Sequence, residues 1–262
     1  MSRRRPQRAT HAAPRSTAKR AEQSRAGAPA PLRIPAIDGL RGAALCLMIV
    51  YHFSFDLNWF AFIRADFDHD PFWLGFRGLI VSAFMLLVGL SLLLARRASV
   101  TPRHFWRRIA LITFCAIVVS VASYLTFPQT FITFGILHCI ALASVLAWPV
   151  TRFPRAALVA GAAIIVIGNF VALPLFDTRW LQWAGMMTHK PATEDYVPLL
   201  PWLGVVMLGI ALGHWLSLQQ FRPLRPLSRI TPHWLIWMGR HSLLIYIVHQ
   251  PVLIGLLRVL RD

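Results

Sequence analysis

From residue 36 to its end the chain alternates long apolar stretches with short polar ones. The stretches run to about 17–25 residues, the length a helix needs to cross about 30 Å of hydrocarbon. Seven spans are predicted, over 36–57, 74–95, 106–125, 133–150, 156–175, 199–217 and 235–257. Pro149 and Pro154 close the fourth early. Residues 1–33 break the pattern, with nine Arg or Lys, one acid (Glu22), and Ala, Pro, Ser and Thr without apolar periodicity. Such a segment cannot bury enough apolar surface to fold, and its charge suits an anionic membrane surface. The expected class is all-α, a polytopic integral membrane bundle: a disordered basic cytoplasmic tail over 1–33, then a transmembrane domain over 34–262.

Composition changes how the charge is read. The 262 residues carry a formal charge of +17, which in a soluble protein points to nucleic acid. Here only 14% of residues are charged and 56% are apolar, with 10 Trp and 17 Phe. Ordinary globular domains are about 25% charged, so the expected solvent is lipid and no nucleic-acid partner is expected. The three Cys (Cys46, Cys115, Cys139) lie in apolar runs, where a thiol acts as a small hydrophobe. They lack metal-ligand spacing, and no metal is expected.

Lys and Arg sort by side. With the N-terminus inside, 20 of the 27 fall on cytoplasmic segments, six on the opposite side, and Arg41 inside the first span. The acids mirror this, leaving only Glu22 and Asp38 on the inner side. The positive-inside rule therefore predicts a cytoplasmic N-terminus.

Inside the spans each ionisable side chain is costly and marks a candidate site. The first span holds four: Asp38, Arg41, His52 and Asp56. At about 100° per residue Arg41 and His52 are three turns plus about 20° apart, so both face one way, about 16 Å apart along the axis. Asp38 sits one turn before Arg41 and can pair with it. Asp56 sits one turn after His52 and can accept from its ring, setting the tautomer. The plainer alternative is two anchoring pairs, one at each interface. Other spans carry His138, His214, His241 and His249; His249, next to Gln250, is a better candidate than His214 near the inner end of the sixth span. Gly204, Gly209 and Gly213 read as helix-packing positions. Walker, dinucleotide and nucleophile-elbow motifs do not occur.

The run IPAIDGLRGAALCLMIVYHFSFDL, followed by HDPFWLGFRGLIVSAFMLLVGLSLLLARR, FGILHCIALAS, LLPWLGVVMLGIALG and GRHSLLIYIVHQPVL, resembles the bacterial members of the heparan-alpha-glucosaminide N-acetyltransferase catalytic-domain family. More distantly, Arg41, ten intervening residues and His52 resemble the Arg-x10-His motif of the membrane acyltransferase-3 family. The resemblance implies transfer of an acetyl group from cytoplasmic acetyl-CoA, the acyl-CoA donor, to a sugar or envelope-glycan acceptor outside. The first family nominates His69, in the external loop before the second span; the second nominates Arg41 and His52. The candidate catalytic set is thus His52, His69 and Asp56. Arg41, Asp38, Arg240 and Arg107 are the candidates for the donor's phosphates, a task that suits the guanidinium fork. Beside the bilayer, partners are the acyl-CoA and the acceptor, and a homodimer stays open. A proton-coupled transporter or permease is the alternative, since His and Asp within a membrane also build proton relays. A purely structural stripe that pairs helices is the third.

Overall fold

The structure, a computed structural model, describes residues 34–193 and 195–261. The basic segment 1–33, expected as a disordered tail, lies outside the described residues. The rest is helical, a membrane bundle built from α1 (Pro35–Trp59), α2 (Pro71–Arg97), α3 (Pro102–Thr126), α4 (Ile136–Ala147), α5 (Pro154–Phe170), α6 (Leu199–Leu218), α7 (Arg225–Ile230), α8 (His233–Arg240) and α9 (Ser242–Arg261). Among these, α1, α2, α3, α6 and α9 are long and apolar enough to cross a membrane.

Local sequence sets the starts. Proline opens α1, α2, α3 and α5, where its missing N–H has no helical partner to lose. Asp70 caps α2 by accepting from the Phe72 N–H at 2.8 Å, and Thr101 caps α3 from His104.

The central helix is α6, packed on α2, α4 and α5. Its crossing with α2 is backbone to backbone. A Cβ on Gly89 would strike the Val206 carbonyl, and one on Gly209 the Leu86 carbonyl. In lipid, where apolar side chains gain little by meeting each other, small residues that admit such approach hold helices together. A second close pair joins α1 to α8, where Gly42 faces the Leu235 carbonyl and Gly239 the Asp38 carbonyl. Leu45, Met85, Leu92, Val206 and Ile210 fill the interior. Phe114 and Leu125 on α3, Val159 and Phe170 on α5, and Val252 and Val259 on α9 point outward. That much exposed apolar surface suits acyl chains and not water.

All seven predicted spans contain helix, but three differ from expectation. The fourth keeps only the twelve residues of α4 before Pro149 starts a short 3-10 turn; at 1.5 Å per residue it covers about 18 Å. The fifth ends at Phe170, short of 175, where Val171 turns extended ahead of Pro174. The seventh breaks into α8 and α9 at His241, whose N–H doubles back onto both Trp237 and Met238 carbonyls. That break turns Arg240 back toward α1.

The short α4 has a consequence for the interior. Trp148, just past its end, stacks under the Arg96 guanidinium at 5.3 Å. Its start therefore lies about halfway across about 30 Å of hydrocarbon, and there the Phe134 carbonyl accepts from the Val197 N–H at 3.4 Å, joining the connections that precede α4 and α6. Irregular backbone at that depth must be satisfied by protein. Asp195 meets part of the need by accepting from the Ile136 N–H at 3.2 Å.

Candidate functional site

Two polar clusters hang on α1. At its start Arg41 donates to Asp38 at 3.1 Å and to the Ser91 hydroxyl of α2 at 2.8 Å. The Ser91 hydroxyl in turn donates to the Leu87 carbonyl. Arg240, delivered by the break between α8 and α9, places its Nε 3.4 Å from the second Asp38 oxygen. Arg108 on α3 is close enough to Arg41 to feel its charge. Two guanidinia on one carboxylate, with a third near Arg41, leave an excess of positive charge with forked donors, a setting matched to phosphate. Arg107, nominated from the sequence, is exposed and makes no hydrogen bond to this cluster; its neighbour Arg108 is the α3 arginine that approaches.

The second cluster lies in the other half of α1. The His52 and His249 rings pack 5.1 Å apart, and Tyr246 lies 5.5 Å from His249 on the same helix. Asp56, only 4% exposed, accepts from Gln250 Nε2 at 2.9 Å. The expected bond from His52 to Asp56 does not form; the Gln250 amide on α9 takes the carboxylate instead. The Tyr246 hydroxyl donates to Asp195 at 3.4 Å. Asp195 lies within electrostatic reach of Arg77, His138 and His249, so the connection before α6 ties α2, α4 and α9 to one carboxylate.

The loop between α1 and α2 folds as a roof onto the aromatic residues Tyr51 and Phe55 of α1. Phe67 is buried and packs edge-on against Tyr51 at 5.7 Å and Phe55 at 5.3 Å, the neighbours of His52 and Asp56. Two residues on, His69 is exposed and its Nδ1 meets Asp66 Oδ2 at 3.0 Å. A carboxylate accepts, so Nδ1 carries the hydrogen and Nε2 keeps a free lone pair. Burial acts to raise the Asp66 carboxyl, but the backbone N–H groups of Asp68 and His69 and the His69 ring outweigh it and hold it below its ordinary value. Asp66 thus stays ionised at neutral pH and fixes the ring, and the contact weakens only as pH falls through that lowered value. Asp68 is lowered too, first by the hydrogen bond from Lys190, whose 2.6 Å contact joins the two outer loops.

The sequence-stated residues thus fall into three places: Asp38, Arg41 and Arg240 at one end of α1, His52 and Asp56 within the other half, and His69 on the roof. Sequence reasoning passed over Arg77, Ser91 and Asp195. Arg77 and Asp195 were counted as external charges, yet both face the bundle. No local pattern marks Asp195, because the helix it caps begins 59 residues earlier. Asp195→Ala leaves the Ile136 N–H and Tyr246 hydroxyl without their acceptor and is expected to cost about 1–3 kcal/mol. Asp195→Asn keeps an oxygen for both and is expected to cost less than half as much. Thermal unfolding of the two variants in one detergent tests this.

Residues 33–251 match the family described as heparan-alpha-glucosaminide N-acetyltransferase, catalytic. The chain belongs to that family and is an integral membrane acyltransferase. No curated protein and no solved structure matches it.

Proposed function

We propose that this member of the family moves an acetyl group across the membrane, from acetyl-CoA held at the Arg41 end of α1 to a sugar amine or hydroxyl at the His52 end. The observation that carries the reading is the pairing of two unlike sites on one helix. A guanidinium cluster stands about 16 Å from a cluster of histidine, carboxylate and amide. Arg41 and Arg240 would grip the phosphates of the donor, with Arg108 adding charge; acetyl-CoA supplies an acetyl thioester. Positive-inside sorting of Lys and Arg supports a cytoplasmic Arg41 end, and the resemblance to bacterial members of the family supports a bacterial inner membrane.

In the transfer the acceptor nitrogen or oxygen forms a bond to the acetyl carbonyl carbon, and the carbon–sulfur bond breaks. The acceptor's proton goes to a base and then to the departing thiolate, giving the free thiol. We assign the base to His69. Its Nδ1 is held by a carboxylate at hydrogen-bond distance, closer than the 3.6 Å between His189 and Asp177, an arrangement that suits a general base. The buried cluster of His52, Asp56, His249 and Gln250 holds the acceptor beneath it.

The experiment is a sided assay. Protein in liposomes, oriented and given labelled acetyl-CoA on one face and glucosamine on the other, is expected to yield labelled N-acetylglucosamine only when the donor is on the Arg41 face. Label on glucosamine from either face equally would overturn the sidedness. Passage of glucosamine with no donor present, and no acetylation, would favour the permease.

A further inference from the structure

Between α1 and α9 a groove of about 410 Å³ opens on the side of the bundle, with Ile49, Val248 and Val252 in its walls and His249 as the polar residue among its lining. The helix that forms most of it, α9, has 11% of its most apolar stretch buried, the lowest of the five membrane-length helices. The groove therefore faces the depth at which acyl chains lie.

Its floor is chemically specific. His249 Nδ1 lies 2.6 Å from the Tyr246 carbonyl, which can only accept, so Nδ1 bears the hydrogen and Nε2 is an acceptor. That Nε2 is buried and finds no hydrogen-bond partner among the described residues. The same holds for Asp56 Oδ2 and, with Gln250 Nε2 committed to Asp56, for Gln250 Oε1. Of these three acceptors, His249 lines the groove, and Asp56 and Gln250, bonded to each other, lie behind it in the bundle. Leaving such groups unmade is costly in a low dielectric, so the complementary ligand presents N–H or O–H donors. A second copy seated through the middle of its own α9 would bring apolar side chains to this place. Level with the groove, the outward residues of that helix are Leu244, Val248 and Val252, which carry no side-chain donors; its exposed arginines, Arg258 and Arg261, lie in its last turns.

We infer that the acceptor is lipid-borne: an amphiphile whose amine- or hydroxyl-bearing head enters sideways between α1 and α9 and rests on His249, Asp56 and Gln250, while its hydrocarbon chain stays in the groove. This rests on the acetyltransferase reading above and adds the class of its acceptor. A wholly water-soluble sugar would meet the same acceptors but leave the groove to bulk lipid.

The test compares two acceptors with one head group, glucosamine and its dodecyl glycoside, using purified protein in nanodiscs of phosphatidylcholine and labelled acetyl-CoA. The expected result is a kcat/KM at least tenfold higher for the dodecyl form. Val252→Trp, which fills the groove from an exposed position, is expected to bring the ratio of the two values down toward one. His249→Phe, which removes the acceptor nitrogen but keeps a ring, is expected to lower kcat/KM for the dodecyl form at least tenfold. Transfer to both acceptors with equal efficiency, or a ratio that Val252→Trp does not move, would overturn the inference and leave the acetyltransferase reading standing. Transfer to neither acceptor would overturn both. A Val252→Trp variant that loses a dimer present in the wild type, with the ratio unchanged, would assign the groove to a second copy.

Discussion

Arg41→Ala is expected to weaken acetyl-CoA binding by about 100-fold and to lower kcat/KM for the donor by a similar factor. The physical basis is that Arg41 is held ready. Its two Nη atoms are fixed by Asp38 and Ser91 at 3.1 and 2.8 Å, so little rotamer freedom remains to be lost when a phosphate arrives. Truncating one member of a desolvated charge pair costs about 2–5 kcal/mol, and each 1.4 kcal/mol is tenfold in affinity. Arg41→Lys keeps the charge but has no planar fork to serve Asp38, Ser91 and a ligand together, and is expected to fall between, at about tenfold. Equilibrium binding of CoA to the detergent-solubilised variants reads both values. The neutral pair Asp38→Asn with Arg41→Gln separates catalysis from packing: it is expected to fold and to stay inactive, whereas a stripe that merely pairs helices would leave transfer intact. A CoA affinity unchanged in Arg41→Ala would move the donor site away from α1.

The fold was legible to the degree that hydrophobic length decides it. Each apolar stretch became helix, because a bilayer leaves the backbone few other ways to satisfy its N–H and C=O groups. Lengths were less legible, since they are set by prolines and by tertiary neighbours. Pro149 shortens the fourth span, while nothing periodic in GRHSLLIYIVHQP separates Arg240 from Ser242, and the break at His241 shows only in three dimensions. For the site, the stripe Asp38, Arg41, His52, Asp56 followed from the helical repeat, because all four lie on one element. The partners did not. Ser91, Arg240, Gln250 and Asp195 come from other elements, separated by 50, 202, 194 and 59 residues from the groups they bond. The expectation that a carboxylate one turn after a histidine will bond it failed at Asp56, where Gln250 competes successfully; the pair that does form, His69 with the Asp66 three residues before it, belongs to a loop and not to a helical repeat.

That difference between the two histidine–aspartate pairs carries the second large effect. His69→Ala is expected to lower kcat by about 10²–10⁴, the contribution of a positioned general base, with little change in KM for acetyl-CoA. Because His69 is exposed on the roof, added imidazole is expected to restore part of the rate. Asp66→Asn takes away the carboxylate that orients Nδ1–H and is expected to cost about tenfold, an effect that disappears in the His69→Ala background, since residues acting through one group are not additive. His52→Ala is expected to act differently. It opens the buried cluster beside His249 and Asp56, so the loss falls mainly on KM for the acceptor, and imidazole does not rescue it. The reverse result, a rescue-insensitive collapse of kcat in His52→Ala with His69→Ala near wild type, would place the base inside the bundle and reduce the Asp66–His69 pair to a loop contact. Both outcomes leave α1 as the element that joins donor and acceptor, because Arg41 and the cluster of His52 and Asp56 rise from the same helix.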